Sequence, residues 1–178
     1  AMTEIKLEDP NMAFARDLFI FGCWTGIAFI DIKNLTEDNI SMVNGAPWIV
    51  SKRQKTGVPF QIKLLDIPMQ IVERYKAFRK DNHLFDIGNL DSINKRIKKV
   101  AAMCGIKKRV SFHVSRHSWA VLALEYGMPI ESVSKILGHT NITTTQIYAK
   151  VTSTKLDHDI SVFENRIKGN LPVMGGMA

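Results

Sequence analysis

The segment from Phe112 to Tyr148 has the sequence FHVSRHSWAVLALEYGMPIESVSKILGHTNITTTQIY. Its apolar residues recur every three or four positions, which is the spacing of helices with one buried face. Gly127 and Gly138 follow the last apolar positions of two such segments, where a glycine commonly ends a helix. The pattern predicts three helices, over residues 112–126, 129–137 and 142–150.

Helical spacing also covers most of the chain outside this stretch. Asp9 and Pro10 are typical of a helix start, as the N-cap and a first-turn residue. The further predicted helices cover residues 10–24, 27–35, 68–80, 90–104 and 155–168.

Residues 40–65 change to the alternating pattern of short strands. Asn44-Gly45 indicates a hairpin, because both residue types accept the positive φ of a tight turn, and residues 55–57 indicate a second turn. Strands over 40–43, 48–53 and 58–64 would then pair as an antiparallel meander. We therefore predict an α+β fold, mainly α, with one small three-stranded antiparallel sheet.

The composition is that of a folded domain rather than a disordered tail. The chain has 178 residues, 46% hydrophobic and 23% charged, so it can bury a core without disulfides or metals. Cys23 and Cys104 do not form a Cys-x-x-Cys pair, and no segment has the length of a membrane span or the pattern of a signal peptide. We expect a soluble protein of the reducing cytoplasm that does not contact membranes.

The domain organisation follows from the same patterns. We expect one domain over residues 1–168, followed by a flexible Gly- and Met-rich tail over residues 169–178. The chain begins with Ala1 rather than Met, which indicates a fragment of a longer protein whose upstream part is absent.

Positive charge is concentrated in two segments that contain no acidic residue. The formal net charge is +7. Residues 92–124 hold eight basic side chains, and residues 49–65 hold four. A solvated helix face and a charged hairpin would explain either segment alone, but two segments around one candidate site favour contacts with nucleic-acid phosphates.

His113 and Arg116 carry the first chemical signal. Their i, i+3 spacing places both on one helix face, where a guanidinium fork and an imidazole suit phosphoryl transfer, although such pairs also occur as inert surface residues. His117 would allow a zinc pair with His113, but no third ligand is evident, so we expect no metal and no cofactor. Considered alone, His139 is explained equally well as a helix-capping residue, and Tyr148 as a half-buried aromatic residue of an amphipathic helix.

Taken together, the residues resemble the catalytic domain of the tyrosine recombinases, the phage integrase family. The resemblance runs from about residue 14 to about residue 151. The matching residues are Lys55 in the hairpin, His113 and Arg116 in HVSRHSWA, His139 in LGHTNITTT and Tyr148 in TQIYAKV. The segment CWTGIAFIDIKNLT also looks like the corresponding segment in integrases of Bacteroidetes mobile elements.

The resemblance implies a role for each matching residue. Tyr148 would attack a DNA phosphate and form a 3′-phosphotyrosine, which conserves the bond energy without ATP. Arg116 and His139 would hold the nonbridging oxygens. Lys55 would protonate the leaving 5′-oxygen, and His113 would assist proton movement at the tyrosine.

The family also implies the biological function. The chain would be a site-specific recombinase or integrase that integrates or excises a mobile element, in a bacterial cytoplasm and associated with the nucleoid. Its partners would be double-stranded DNA and further copies of itself, as a tetramer on paired DNA sites and a monomer in isolation. An upstream core-binding domain would complete a clamp on DNA. The resemblance also implies a C-terminal helix or strand that docks on a neighbouring copy. Residues 160–167 have apolar spacing for that role or for packing within one chain.

One position departs from the family pattern. Ala28 stands where the family usually has a phosphate-binding arginine, while Asp31 matches the acidic position that supports the site. We expect Arg53 to fill the gap, because period-2 alternation would put it on the same hairpin face as Lys55, and we favour it over Arg16. Two alternatives stay open: a type IB topoisomerase-like enzyme, and a DNA-binding module that has lost catalysis.

Overall fold

The computed structural model describes residues 2–149 and 153–168 of the chain. The helices are α1 (Pro10–Thr25), α2 (Phe29–Lys33), α3 (Asp66–Tyr75), α4 (Leu90–Met103), α5 (Phe112–Glu125), α6 (Ile130–Leu137), α7 (Thr143–Gln146) and α8 (Ser153–Lys168). The strands are β1 (Ile40–Val43), β2 (Ala46–Lys52) and β3 (Pro59–Lys63), and two 3₁₀ turns cover Glu37–Asn39 and Lys76–Phe78.

Helix α1 lies at the centre of the core and packs against α3, α4 and α5. It is apolar on nearly every side, as expected for a helix surrounded by others. Leu18 and Phe21 are fully buried, and the Phe21 ring meets Phe85 edge-on with centroids 5.2 Å apart. Helix α1 is therefore the centre around which α3, α4 and α5 pack.

The sheet is an antiparallel meander in the order β1-β2-β3. Ile49 lies opposite Ile40 on one side and Ile62 on the other. Ile49, Phe60 and Ile62 are buried, because alternate residues of each strand face the core. Helix α6 packs against β3, so the β2–β3 hairpin lies next to the end of α6.

Two glycines let α1 approach α5 more closely than any side chain would allow. A Cβ atom at Gly22 would lie 2.4 Å from Ser115 Oγ, and one at Gly26 would lie 2.6 Å from Trp119 Cε3. Gly26 also ends α1 with a φ of 67°, a left-handed conformation that favours glycine. The close approach brings Arg116, between Ser115 and Trp119 in sequence, against the end of α1.

Helix α8 exposes an apolar face. Leu156, Ile160 and Phe163 are 53%, 55% and 62% exposed, and their i, i+4, i+7 spacing places them on one side of the helix. These three side chains are therefore not packed into the core formed by the described residues.

The predicted fold class is confirmed: a mainly helical chain with one three-stranded antiparallel sheet. Asp9 caps α1 as predicted, accepting a hydrogen bond from the amide of Asn11 at 2.8 Å. Helix α3 differs from its prediction, since it begins two residues earlier and gives way to a 3₁₀ turn after Tyr75. None of the described helices is long and apolar enough to cross a membrane. The predicted tail over 169–178 lies outside the described residues.

We predict that Gly22→Ala destabilises the chain by about 1 to 3 kcal/mol, because the added methyl group overpacks the α1–α5 contact. The cost should fall by about 1 kcal/mol when Ser115→Ala removes the nearest atom, as in a double-mutant cycle. Chemical denaturation measures all four free energies of unfolding.

Gly88→Ala is the matched control, because a Cβ there would meet nothing within 4 Å. Its free energy of unfolding should stay within about 0.5 kcal/mol of the parent. Equal costs for Gly22→Ala with and without the Ser115 hydroxyl would contradict the packing argument.

Candidate active site

Arg116 is the buried centre of the candidate site. Its guanidinium donates to the carbonyl of Gly26 at 2.8 Å and to the carbonyl of Leu137 at 2.7 Å. It also donates to Nε2 of His139 at 3.1 Å. These contacts use three of the five N–H donors of an arginine among the residues that the structure describes, so two remain for an anion.

The surroundings of Arg116 destabilise its positive charge. Burial, and then the charge of Arg53, lowers the pKa of Arg116 to about 10, while Tyr148 and Asp31 act in the opposite direction. The guanidinium still stays protonated at neutral pH. A desolvated cation with unused donors attracts an anion strongly.

His139 follows Gly138 at the end of α6 and lies between two polar partners. Nε2 faces Arg116, and Nδ1 lies 2.8 Å from the hydroxyl of Thr145, which is fully buried. Burial, followed by the charges of Arg116 and Arg53, lowers the pKa of His139 to about 4. The ring is therefore neutral at physiological pH.

Arg53 reaches the site from the β2–β3 hairpin. Its side chain is only 14% exposed, and Nη1 lies 2.5 Å from Oδ2 of the buried Asp31. Oδ2 has no hydrogen-bond partner among the described residues, so the pair is held by charge rather than by a well-formed hydrogen bond. The stem of Arg53 packs on Gly138, where a Cβ would lie 2.7 Å from Arg53 Cγ.

The expectation that Arg53 and Lys55 share one strand face is wrong. Strand β2 ends at Lys52, so the alternation does not extend into the turn that follows. Arg53 is drawn inward by Asp31, whereas Lys55 is exposed in the turn.

Asp31 holds the base of this hairpin in a second way. Its Oδ1 accepts a hydrogen bond from the amide of Gln54 at 2.8 Å. The turn itself is closed by the amide of Gly57, which donates to the carbonyl of Arg53 at 2.8 Å. Lys55 is thus carried on a turn whose base is anchored to the site.

His113 and Ala28 line a cleft beside Arg116. The cleft has a volume of about 270 Å³ and lies between α2, α4 and the start of α5. His113 is exposed. Asn94 helps to fix the start of α5 here, because its Oδ1 accepts a hydrogen bond from the amide of Phe112 at 2.7 Å.

Tyr148 lies just after α7 and is half-buried against the core. Its ring meets His117 edge-on, with centroids 4.9 Å apart and an angle of 76°. From the sequence, His117 was considered only as a metal ligand. Its position directly after Arg116 was the signal that could have placed it near the site. No three His, Cys, Asp or Glu side chains cluster as a metal site within the described residues.

Arg16, the alternative to Arg53, lies elsewhere. Its Nε lies 2.7 Å from Asp17, and its Nη1 donates to the carbonyl of Ile5 at 2.7 Å. Asp17 also binds Arg74 and the hydroxyl of Tyr75. Arg16 therefore belongs to a structural ion-pair network around α1.

The structure thus brings several of the sequence-predicted residues into one site. Arg116 contacts His139, Arg53 packs on Gly138 next to His139, and Tyr148 contacts His117, the residue after Arg116. His113 shares a cleft with Arg116, while Lys55 stays on the exposed turn. Such a group can bind a phosphate by several donors and place a phenol beside it.

Comparison with known proteins identifies a family and several relatives of this chain. The model of the phage integrase family matches residues 3–155. The tyrosine recombinase XerD of Listeria monocytogenes serotype 4b (strain F2365) is 42% identical over 156 residues, covering 80% of this chain and 52% of that protein. The tyrosine recombinase XerA of Pyrococcus horikoshii is 30% identical over 149 residues, covering 78% of this chain and 50% of that protein.

Two solved structures share the fold at lower identity. The XerH site-specific recombinase bound to its difH substrate aligns with a TM-score of 0.72 and 18% identity, over 91% of this chain and 50% of that one. The Tn1549 transposon integrase in complex with circular intermediate DNA aligns with a TM-score of 0.67 and 16% identity, over 88% and 62%. The chain spans about half the length of the curated relatives it matches.

We predict that His139 destabilises the fold as the pH falls from 6.5 to about 4. The unfolded chain takes up a proton near pH 6.5, whereas the folded ring stays neutral until about pH 4, so protons favour unfolding in this window. The full shift corresponds to about 3 kcal/mol, and solvent contact of the half-buried ring reduces the expected loss to about 1 kcal/mol.

Thermal denaturation of the parent and of His139→Gln measures the effect. Glutamine keeps one acceptor and one donor but does not titrate, so the two proteins should diverge below pH 6.5. Parallel stability curves, or titration of the folded His139 near pH 6.5 by NMR, would contradict the prediction.

Proposed function

The chain belongs to the phage integrase family, and on this premise we propose that it is the catalytic domain of a site-specific DNA recombinase. It would break and rejoin double-stranded DNA through a 3′-phosphotyrosine, to integrate or excise a mobile element. The observation that carries the proposal is the buried guanidinium of Arg116 beside His139, with the Tyr148 ring packed on His117, the residue after Arg116.

Tyr148 is the proposed nucleophile. Its phenolic oxygen would form a bond to phosphorus while the bond from phosphorus to the 5′-oxygen breaks, and the phenol proton would pass to a neighbouring acceptor. His113 is proposed to assist this proton movement. His117 is the imidazole that touches the Tyr148 ring. The reverse attack by a 5′-hydroxyl restores the phosphodiester without a cofactor.

Arg116 and His139 are the proposed ligands of the nonbridging oxygens. Arg116 is held by two backbone carbonyls before DNA arrives, so little reorganisation is needed when negative charge develops on the phosphate. One preorganised donor of this kind is typically worth about 3 to 4 kcal/mol in the transition state.

Lys55 is the proposed general acid for the leaving 5′-oxygen. An ammonium group on an exposed turn can enter a DNA groove, while Asp31 keeps the base of that turn attached to the site. The proton lost to the 5′-oxygen would be recovered when that hydroxyl attacks in the rejoining step.

Arg53 is the proposed replacement for the arginine missing at position 28. It is mostly buried beside Gly138 and lowers the pKa of both Arg116 and His139, so its charge acts on the same space. Arg16 is occupied by Asp17 and a backbone carbonyl. The ion pair with Asp31 would also keep the Arg53 side chain within the site.

Basic side chains around the site support DNA as the partner. Those exposed on α4 and the loop after it are Lys95, Lys98, Lys99, Lys107, Lys108 and Arg109. We propose phosphate contacts along this surface. The exposed apolar face of α8 supports self-association of DNA-bound copies, proposed as a tetramer on paired sites.

The upstream domain, the mobile element and the cellular location of this chain are also proposals. We propose an upstream core-binding domain, a mobile element of the kind found in Bacteroidetes, and action in the cytoplasm at the nucleoid. Cys23 and Cys104 are both free thiols, which suits a reducing compartment.

We predict that Tyr148→Phe abolishes covalent attachment to a nicked suicide duplex that spans an end of the encoding element. Folding and noncovalent binding should change little, because the ring and its packing are kept. Denaturing gel electrophoresis of labelled DNA detects the adduct. Tyr126→Phe is the matched control, since Tyr126 is 87% exposed on the end of α5.

An adduct with the Tyr148 variant would overturn the assignment of the nucleophile. If the full-length protein, with the proposed upstream domain, forms no adduct, the noncatalytic DNA-binding alternative is favoured. Resealing without exchange between two differently labelled duplexes would favour the topoisomerase-like alternative.

We predict that Arg53→Lys slows single-turnover cleavage by about 10- to 100-fold, because an ammonium keeps the charge opposite Asp31 but loses the planar fork. Arg16→Lys, which also keeps its charge beside an aspartate, should change the rate less than about twofold. Gel-based cleavage rates and melting temperatures are measured for both variants. Wild-type cleavage by the Arg53 variant would exclude the proposed role.

A further inference from the structure

The hydroxyl of Thr145 is a buried polar group directly below His139. Thr145 is fully buried, and its Oγ1 lies 2.8 Å from Nδ1 of the imidazole. The other ring nitrogen, Nε2, lies 3.1 Å from Nη2 of Arg116. Both ring nitrogens therefore have a specific partner in the DNA-free chain.

The two partners determine which nitrogen carries the proton. A guanidinium has donors and no acceptor, so Nε2 of His139 must accept from Arg116. The neutral ring then has its single proton on Nδ1, and the Thr145 hydroxyl accepts it. The DNA-free chain thus holds the Nδ1–H tautomer.

A phosphate oxygen requires the opposite arrangement. Nonbridging oxygens only accept hydrogen bonds, so Nε2 can bind one only when it carries a proton. Nδ1 then becomes an acceptor and needs a donor beneath it. A hydroxyl can accept or donate by rotation, whereas a carboxylate could only accept.

We infer that Thr145 is a positioning residue that lets His139 exchange tautomers when a phosphate enters the site. An incoming phosphate oxygen accepts the Arg116 N–H that Nε2 accepted before. His139 then releases the proton of Nδ1 to solvent and takes up one on Nε2, and the Thr145 hydroxyl rotates to donate to Nδ1. In this exchange the ring carries one proton at the beginning and one at the end. This inference rests on the proposed function in taking the ligand to be a phosphodiester.

A buried hydroxyl has a second advantage at this position. A backbone carbonyl below Nδ1 would favour only the Nδ1–H form, and a carboxylate would favour an imidazolium. Thr145 favours neither protonation state of His139 strongly, so binding of the anion determines which nitrogen carries the proton. Two donors, one from Arg116 and one from His139, then become available in the same step.

The first test uses the DNA-free 178-residue chain with ¹⁵N-labelled histidine at neutral pH. His139 should show a protonated Nδ1 and an unprotonated Nε2, and His139→Gln assigns its signals. Sulfate, which stays a dianion at this pH, should shift the ring to the Nε2–H tautomer with no imidazolium. A ring that keeps its tautomer, or becomes an imidazolium, overturns the inference.

The second test compares three threonine variants. Thr145→Val removes the hydroxyl at similar volume and should weaken sulfate binding about tenfold, the value of roughly one hydrogen bond. Thr145→Ser keeps the hydroxyl and should stay within about twofold of the parent. Thr144→Val is the control on the exposed side of the same helix.

Cleavage of the nicked duplex separates this inference from the proposed function. We expect Thr145→Val to slow single-turnover cleavage and Thr145→Ser to retain it, with melting temperatures compared throughout. If the parent shows the tautomer exchange but cleaves no DNA, the proposed function fails and the inference stands. Equal sulfate affinities for the valine and serine variants overturn the inference, as does unchanged cleavage by a folded valine variant.

Discussion

The hydrogen bonds of Arg116 to two helix ends connect the candidate site to the core of the fold. The carbonyl of Gly26 ends α1 and that of Leu137 ends α6, and both lack an intrahelical partner. The guanidinium satisfies both and lies at the negative end of each helix dipole. One side chain therefore joins the amino-terminal core to the segment that carries His139 and Tyr148, and the same cation remains available to an anion.

The close approach of α1 and α5 makes these bonds possible. Gly22 and Gly26 remove the side chains that would separate the helices, so Arg116 reaches the end of α1 from within α5. Trp119 and Ser115 fill the space that the glycines leave. The geometry of the site is thus decided by packing in the core, before any group of the site contacts a ligand.

The elements were predictable from sequence because each is encoded locally. Apolar periodicity and terminal glycines identified the helices, and Asn44-Gly45 identified the first hairpin turn. The environment of Arg53 could not be predicted in this way, since its inward orientation results from Asp31, 22 positions away in the sequence. The contact of His117 with Tyr148 also depends on how α5 and the end of α7 meet, which periodicity does not describe.

The ion pair of Asp31 and Arg53 limits which substitutions the site can accept during evolution. Loss of one partner leaves a buried, uncompensated charge, at a cost of about 3 to 5 kcal/mol, which is a large part of the stability of a typical domain. A substitution that removes the charge at either position alone is therefore destabilising. Descendants of this chain would therefore change positions 31 and 53 together.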